Sequence, residues 1–279
     1  MTNNRQKAII SAFVTGCFVF SMRQQIQFRG FLGAGDFGGA LKLARNILMG
    51  QAPYTGFTDV PYPLPAGLFA LPFSQFDDRL AGTLFAAASA ALLAFVLINK
   101  TGETWRLLLL FSLPFAHAVE WAQWNPAIMA SWYIPSLAPM MAIIKPQIAL
   151  PLAINRPHAA GIIGAIAVLL ISVVGFPKWP QQWLALTQEY QYIVPILSPF
   201  GWLLPLVALH WRDPRARLLA TMAVFPIRGP YDLLILFIFP RSATEMLSLV
   251  LISWLLPYPF LYLAVFTFCI RAAIAMRFR

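Results

Sequence analysis

Four short stretches carry the side chains best suited to chemistry in this chain. Asp36 stands between glycines in GAGDFGG (33–39), and Glu120, Gln123 and Asn125 alternate with Trp121 and Trp124 in EWAQWNP (120–126). Lys145 interrupts the apolar run MMAIIKPQIALPLAI (140–154), and Arg228, Tyr231 and Asp232 share the broken segment PIRGPYD (226–232). A carboxylate flanked by glycines lets backbone or ligand approach closely and is able to accept a proton. An Arg presents a fork of donors to a phosphate. Trp beside carboxamides offers a sugar ring an apolar face and bonds for its hydroxyls. Each has a plainer alternative. Asp36 precedes a helical pattern and is a natural N-cap. A Trp at a span end is a common membrane-belt residue. Lys145 reaches an interface by snorkelling if it lies at a span end, and Arg228 pairs with Asp232 if both stay dry.

The elements that must position these groups are membrane helices. The 279 residues are 59% hydrophobic and 11% charged, with a mean hydropathy of +0.70; a soluble domain carries about 25% charged residues. The net charge of +10 comes from short clusters between apolar runs. That distribution argues against nucleic acid as a partner and for anionic lipid headgroups and a positive-inside bias. Cys17 and Cys269 fall in apolar segments at opposite ends, which predicts thiols and no disulfide. His117, His158 and His210 lack metal-ligand spacing, so no metal and no cofactor is expected. The chain has no DxD, Walker, GxSxG or zinc motif, which argues against a soluble enzyme of nucleotide-sugars.

Hydropathy predicts an all-α integral membrane bundle, one transmembrane domain over 1–279. About eight spans are expected, at 8–22, 80–98, 105–119, 126–144, 158–176, 193–210, 217–239 and 246–270. Several are shorter than the ~20 residues a crossing needs, and 218–240 and 246–270 are broken by proline. The first span, after Arg5 and Lys7, lacks a small-residue cleavage site and is read as retained. The positive-inside rule then puts both termini in the cytoplasm. Lys145 falls at an inner span end, whereas the loop 23–79, the Glu120 turn, the Lys178–Glu189 loop and Arg241 fall outside. Within the first loop, Phe37, Leu41, Ala44 and Leu48 share one helical face opposite Lys42, Arg45 and Asn46. This pattern predicts an interfacial helix over 37–50. Asp77, Asp78 and Arg79 read as a helix start before the second span.

GDF at 35–37, MGQAPY at 49–54, YPLPAGLFALPF at 62–73, QWNP at 123–126, IIKPQIALPLAI at 143–154 and GPYDLLIL at 229–236 occur in this order. The set resembles the polyprenol-phosphate-sugar-dependent glycosyltransferases of the GT-C superfamily, specifically the mannosyltransferase-like family 87. This chain is shorter than the family's usual members, compresses the interval from QWNP to KPQ, and has YPLP where YPP is commoner. The resemblance implies a GT-C-like fold in a bacterial inner membrane and a hexosyltransferase activity on its outer face. Asp36 would be the catalytic base of an inverting displacement. Arg228, Arg45, Lys42 and Lys145 would hold the donor phosphate. Tyr54, Gln123, Trp124, Asn125, Tyr231 and Asp232 would line the sugar or acceptor site. The implied partners are a polyprenyl-phosphate sugar (mannose-like), a lipid or glycan acceptor and membrane lipids. A different class remains open: a non-catalytic scaffold or accessory subunit of a larger membrane complex, with partner subunits. A transporter suits the broken helices, but no inverted repeat or polar stripe supports it.

Overall fold

Two helices form the longest packed pair, α1 (Thr2–Phe28) and α4 (Asp78–Thr101). They run antiparallel: Asn4 lies beside Gly102, while Gln27 Nε2 donates to Thr83 Oγ1 and to the Arg79 carbonyl at the other end. Small residues permit the approach, with Gly16 facing Ala87 and Ala91. The ends of α4 are set locally. Asp77 accepts from the Arg79 and Leu80 N–H groups at 2.9 and 3.0 Å, a cap worth about 1 kcal/mol. Gly102 closes the other end at φ +71°. The computed structural model describes residues 2–28, 33–57, 62–188 and 192–277. Parts of the 23–79 loop, Glu189 and its two successors, and the last two residues lie outside the described residues.

Among the described residues the fold is all helical, with no sheet; its one β-bridge joins Ile193 to Ile227. Within α1 and α4, the segments Asn3–Gln27 and Asp78–Thr101 are long and apolar enough to cross a membrane. A third candidate is the pair α9 (Ala159–Gly175) and α10 (Trp179–Thr187), bent by 99°. The other expected spans do not form as single long helices, because proline and glycine divide them. The stretch 104–120 forms a 3-10 helix, Thr104–Phe111, followed by α5 (Leu113–Glu120). Ser112 caps the second piece, and Pro114 sits in its first turn.

Two stretches read as crossings turn back on themselves. The chain leaves Asn125 through α6 (Asn125–Ser131) and α7 (Ala138–Ala142), returns so that Lys145 meets Asn125 at 2.9 Å, and continues as α8 (Pro146–Asn155). The 218–240 stretch forms a hairpin of α11 (Pro214–Val224) and a 3-10 helix, Pro230–Ile238. Its base is closed by the Arg241–Asp213 ion pair and by Arg215 Nη1 donating to the Phe239 carbonyl at 3.4 Å. Arg228 stands at its tip. Pro226, Gly229 and Pro230 cannot sustain a continuous ladder, so the chain reverses there. Strict alternation of spans therefore misplaces two residues. Lys145 lies at the Asp36 end of the molecule, and Arg241 lies at the opposite end beside Asp213. The segment 246–270 likewise divides at Pro257–Pro259 into α12 (Ala243–Leu255) and α13 (Pro259–Arg277).

The expected helix over 37–50 is α2 (Phe37–Leu48), which buries Phe37, Leu41 and Ala44 and leaves Leu48 exposed. It packs on α3 (Leu64–Ala70) and reaches α4 through Phe37, which stacks on Phe85 at 4.0 Å. That aromatic contact fixes where the helix begins, and hence where Asp36 stands.

Candidate functional site

Asp36 occupies the N-cap position of α2, yet its side chain makes no capping hydrogen bond. The reason lies in the loop before it. Gly35 adopts φ +60°, and a Cβ there would fall 2.5 Å from the Trp121 carbonyl oxygen, so only glycine fits. The Asp36 N–H then donates to that same carbonyl at 2.8 Å, docking the start of α2 onto the turn after α5. Arg23 of α1 clamps both loops by donating to the carbonyls of Glu120 and, at 3.0 Å, of Gly33. Held this way, the Asp36 carboxylate accepts through Oδ2 from Gln123 Nε2.

Gln123 leads into a dry polar hub. Its Oε1 accepts from Lys145 Nζ at 3.0 Å and from the Tyr62 hydroxyl at 3.4 Å. Lys145 Nζ also donates to Asn125 Oδ1 at 2.9 Å and to Asp232 Oδ1 at 2.7 Å. Asn125 Nδ2 donates to Asp232 Oδ1 at 3.0 Å, and the Arg228 backbone N–H donates to Asp232 Oδ2 at 2.8 Å. An ammonium group has three N–H bonds, and these acceptors match all three. Lys145 Nζ also lies 4.7 Å from the centre of the Tyr231 ring. Lys145 therefore does not snorkel. It is 3% exposed and its partner Asp232 is fully buried, a pairing sustained only because each is so fully hydrogen-bonded.

Arg228 does not form its side-chain ion pair with Asp232, four residues on. Its Nη1 instead lies 3.9 Å from Asp36 Oδ2, and this pair is open, with side-chain exposures of 40% and 21%. A shallow cleft of about 40 Å³ begins here, open to the outside. Arg228, Lys145, Tyr62, Gln147, Trp183 and Tyr192 are among its walls. Asp36 sits behind Arg228 rather than in the wall itself. Burial, and then the nearby Asp36, push the Tyr62 phenol well above its ordinary pKa, so it stays a neutral donor to Gln123.

The remaining expected site residues are not brought together here. Lys42 donates to the Gly56 carbonyl and covers the Phe57 ring. Arg45 is bound to Asp78 at 2.5 Å and to the carbonyls of Ser74 and Phe76 at 3.1 and 2.6 Å. Neither cation reaches Asp36. Tyr54 donates to the Tyr62 carbonyl at 3.1 Å and packs with Leu43, Leu64 and Trp179. Trp124 is enclosed by Phe37, Phe85 and Tyr62, so its ring has no open face for a sugar. Gln123, Asn125 and Asp232 are buried, each accepts from Lys145, and Asn125 also donates to Asp232; Tyr231 is nearly as buried. Glu120 bonds His117 at 3.0 Å. Among the described residues no group of His, Cys, Asp and Glu could hold a metal.

The sequence gives no functional signal for Arg23, Trp183 and Tyr192, and Tyr62 and Gln147 stand only inside motifs. Arg23 directly follows a predicted span, where a charge reads as a flank; its role as a clamp depends on contacts up to 97 positions away. No family model matches the chain, and neither the curated proteins nor the solved structures give a significant match.

Proposed function

We propose that the chain is a membrane glycosyltransferase that moves a sugar, mannose-like, from a polyprenyl-phosphate donor to a lipid or glycan acceptor. One observation carries this reading. The carboxylate at the start of α2 is not spent on capping but stands 3.9 Å from the half-exposed guanidinium of Arg228, in the wall of a cleft. A scaffold has no need of that arrangement. The proposed setting is a bacterial inner membrane, with the Asp36 end extracytoplasmic and both chain ends cytoplasmic.

In the reaction, Arg228 binds the donor phosphate and leaves its loose contact with Asp36. Asp36 takes the proton of the acceptor hydroxyl as that oxygen attacks the anomeric carbon. The bond from the anomeric carbon to phosphate oxygen breaks on the far face, inverting the centre. The leaving polyprenyl phosphate carries its charge onto Arg228, a preorganised donor that needs no proton transfer. Lys145 supports the site from below, because its N–H bonds are already committed to Gln123, Asn125 and Asp232.

The test is transfer from radiolabelled polyprenyl-phosphate mannose and glucose into membrane lipid extract, comparing wild type with Asp36→Asn. The expected outcome is a loss of about 10²- to 10⁴-fold in a well-folded variant. Transfer that survives the substitution would discard Asp36 as the base. No transfer from either donor, with the protein copurifying stoichiometrically with other membrane subunits, would favour the scaffold.

A further inference from the structure

We infer that Gln123 positions the Asp36 carboxylate, through an amide locked in one orientation by Lys145 and Tyr62. A glutamine amide carries an acceptor and a donor on one planar end, and nothing intrinsic decides which way it points. Here the surroundings decide. Oε1 receives Lys145 Nζ at 3.0 Å and the Tyr62 hydroxyl at 3.4 Å. An ammonium has no acceptor, so a flipped amide would set NH₂ against NH₃⁺ and Oε1 against the Asp36 carboxylate. That exchanges favourable bonds for repulsions at both ends. Lys145 is itself fixed by Asn125 and Asp232. A defined orientation therefore runs from the buried ion pair, through one amide, to the carboxylate at the cleft.

The consequence concerns the two oxygens of Asp36. Both the Gln123 bond and the Arg228 contact fall on Oδ2, which reserves Oδ1 for the proton of the acceptor, given the transferase reading. Once Arg228 turns to a phosphate, Gln123 is the donor that keeps Oδ2 engaged. Among the described residues, the other charged and titratable groups near Asp36 have partners of their own. Tyr62 and Lys145 bond the Gln123 oxygen, and Asp232 bonds Lys145. Arg23 holds the flanking loops, and Glu120 is paired with His117. Lys42 and Arg45, on α2 itself, turn toward Gly56 and toward Asp78 of α4.

The experiment titrates the Asp36 carboxyl by infrared spectroscopy, as the difference between wild type and Asp36→Asn, and repeats it in Gln123→Glu and Gln123→Met. In Gln123→Glu, Lys145 and Tyr62 hold one oxygen and leave a second negative oxygen facing Asp36. The Asp36 midpoint then moves up, because a like charge faces it. In Gln123→Met the donor is lost without a new charge, and the midpoint moves up by less. The acid limb of the sugar-transfer profile follows the same order. In Gln123→Met, kcat falls about ten- to a hundredfold while KM for the polyprenyl-phosphate sugar stays close to wild type. If neither variant moves the infrared midpoint, the inference is overturned. If the midpoints move as stated but wild type transfers no sugar, the role of Gln123 stands and the transferase reading falls.

Discussion

Two acid–base pairs lie a few ångströms apart on one chain of hydrogen bonds, and they behave as opposites. Lys145 and Asp232 meet at 2.7 Å with almost no exposure, and their remaining polar atoms are matched by Gln123, Asn125 and the Arg228 backbone. Arg228 and Asp36 meet at 3.9 Å beside an open cleft. In the first pair each charge is held by partners it cannot exchange, so the pair acts as architecture. In the second the contact is long and solvated, worth little to stability and readily exchanged for a ligand. Formal charge does not distinguish the pairs; burial and the number of fixed partners do.

The largest expected effect would break the architectural pair. Lys145→Met leaves the Asp232 carboxylate buried without its cation and is expected to destabilise the protein by about 3–5 kcal/mol. Thermal unfolding in detergent measures it. The double variant with Asp232→Asn should recover a large part of the loss, and equal losses in the single and double variants would deny that the pair acts as a unit. The open pair should respond in the other currency. Arg228→Ala is expected to change stability by less than about 1 kcal/mol while raising KM for the polyprenyl-phosphate sugar at least about tenfold, since a charge-assisted bond is worth about 1.5–3 kcal/mol. A large melting shift with unchanged KM would reverse the two roles. The smallest effect sharpens the boundary of the site. Arg45→Ala, which removes the links to Asp78 and to the Ser74 and Phe76 carbonyls, should leave transfer within about twofold of wild type in a folded variant, since none of these bonds reaches Asp36. A transfer loss as deep as that of Arg228→Ala would return Arg45 to the phosphate site.

Much of this molecule is written locally. The length and apolarity of α1 and α4, the Asp77 cap and Gly102 stop, and the amphipathic face of α2 all follow from side chains within a few positions of one another. Asp36, Gln123, Asn125, Lys145, Arg228 and Asp232 were each visible as polar groups in apolar surroundings. Local reading failed where the chain reverses. Proline and glycine at 226–230 announce a break, but a kinked crossing and a hairpin have the same sequence signature. The choice is made by what the halves pack against, here the closure of Asp213 on Arg241 at the base.

The sequence by itself therefore determined the helical, apolar character of the chain and the short roster of groups able to do chemistry. Only the tertiary structure decided which of them meet. Gln123 reaches Asp36 across 87 positions, and Lys145 reaches Asp232 across another 87. No periodicity along one helix encodes such a pairing. It also decided which candidates are spent elsewhere: Trp124 in the aromatic core, Arg45 on Asp78, Lys42 on Gly56. The physical reason is that helix propensity and capping act over a few residues, whereas the burial that fixes a charge, and the partners that satisfy it, come from segments far apart in the chain.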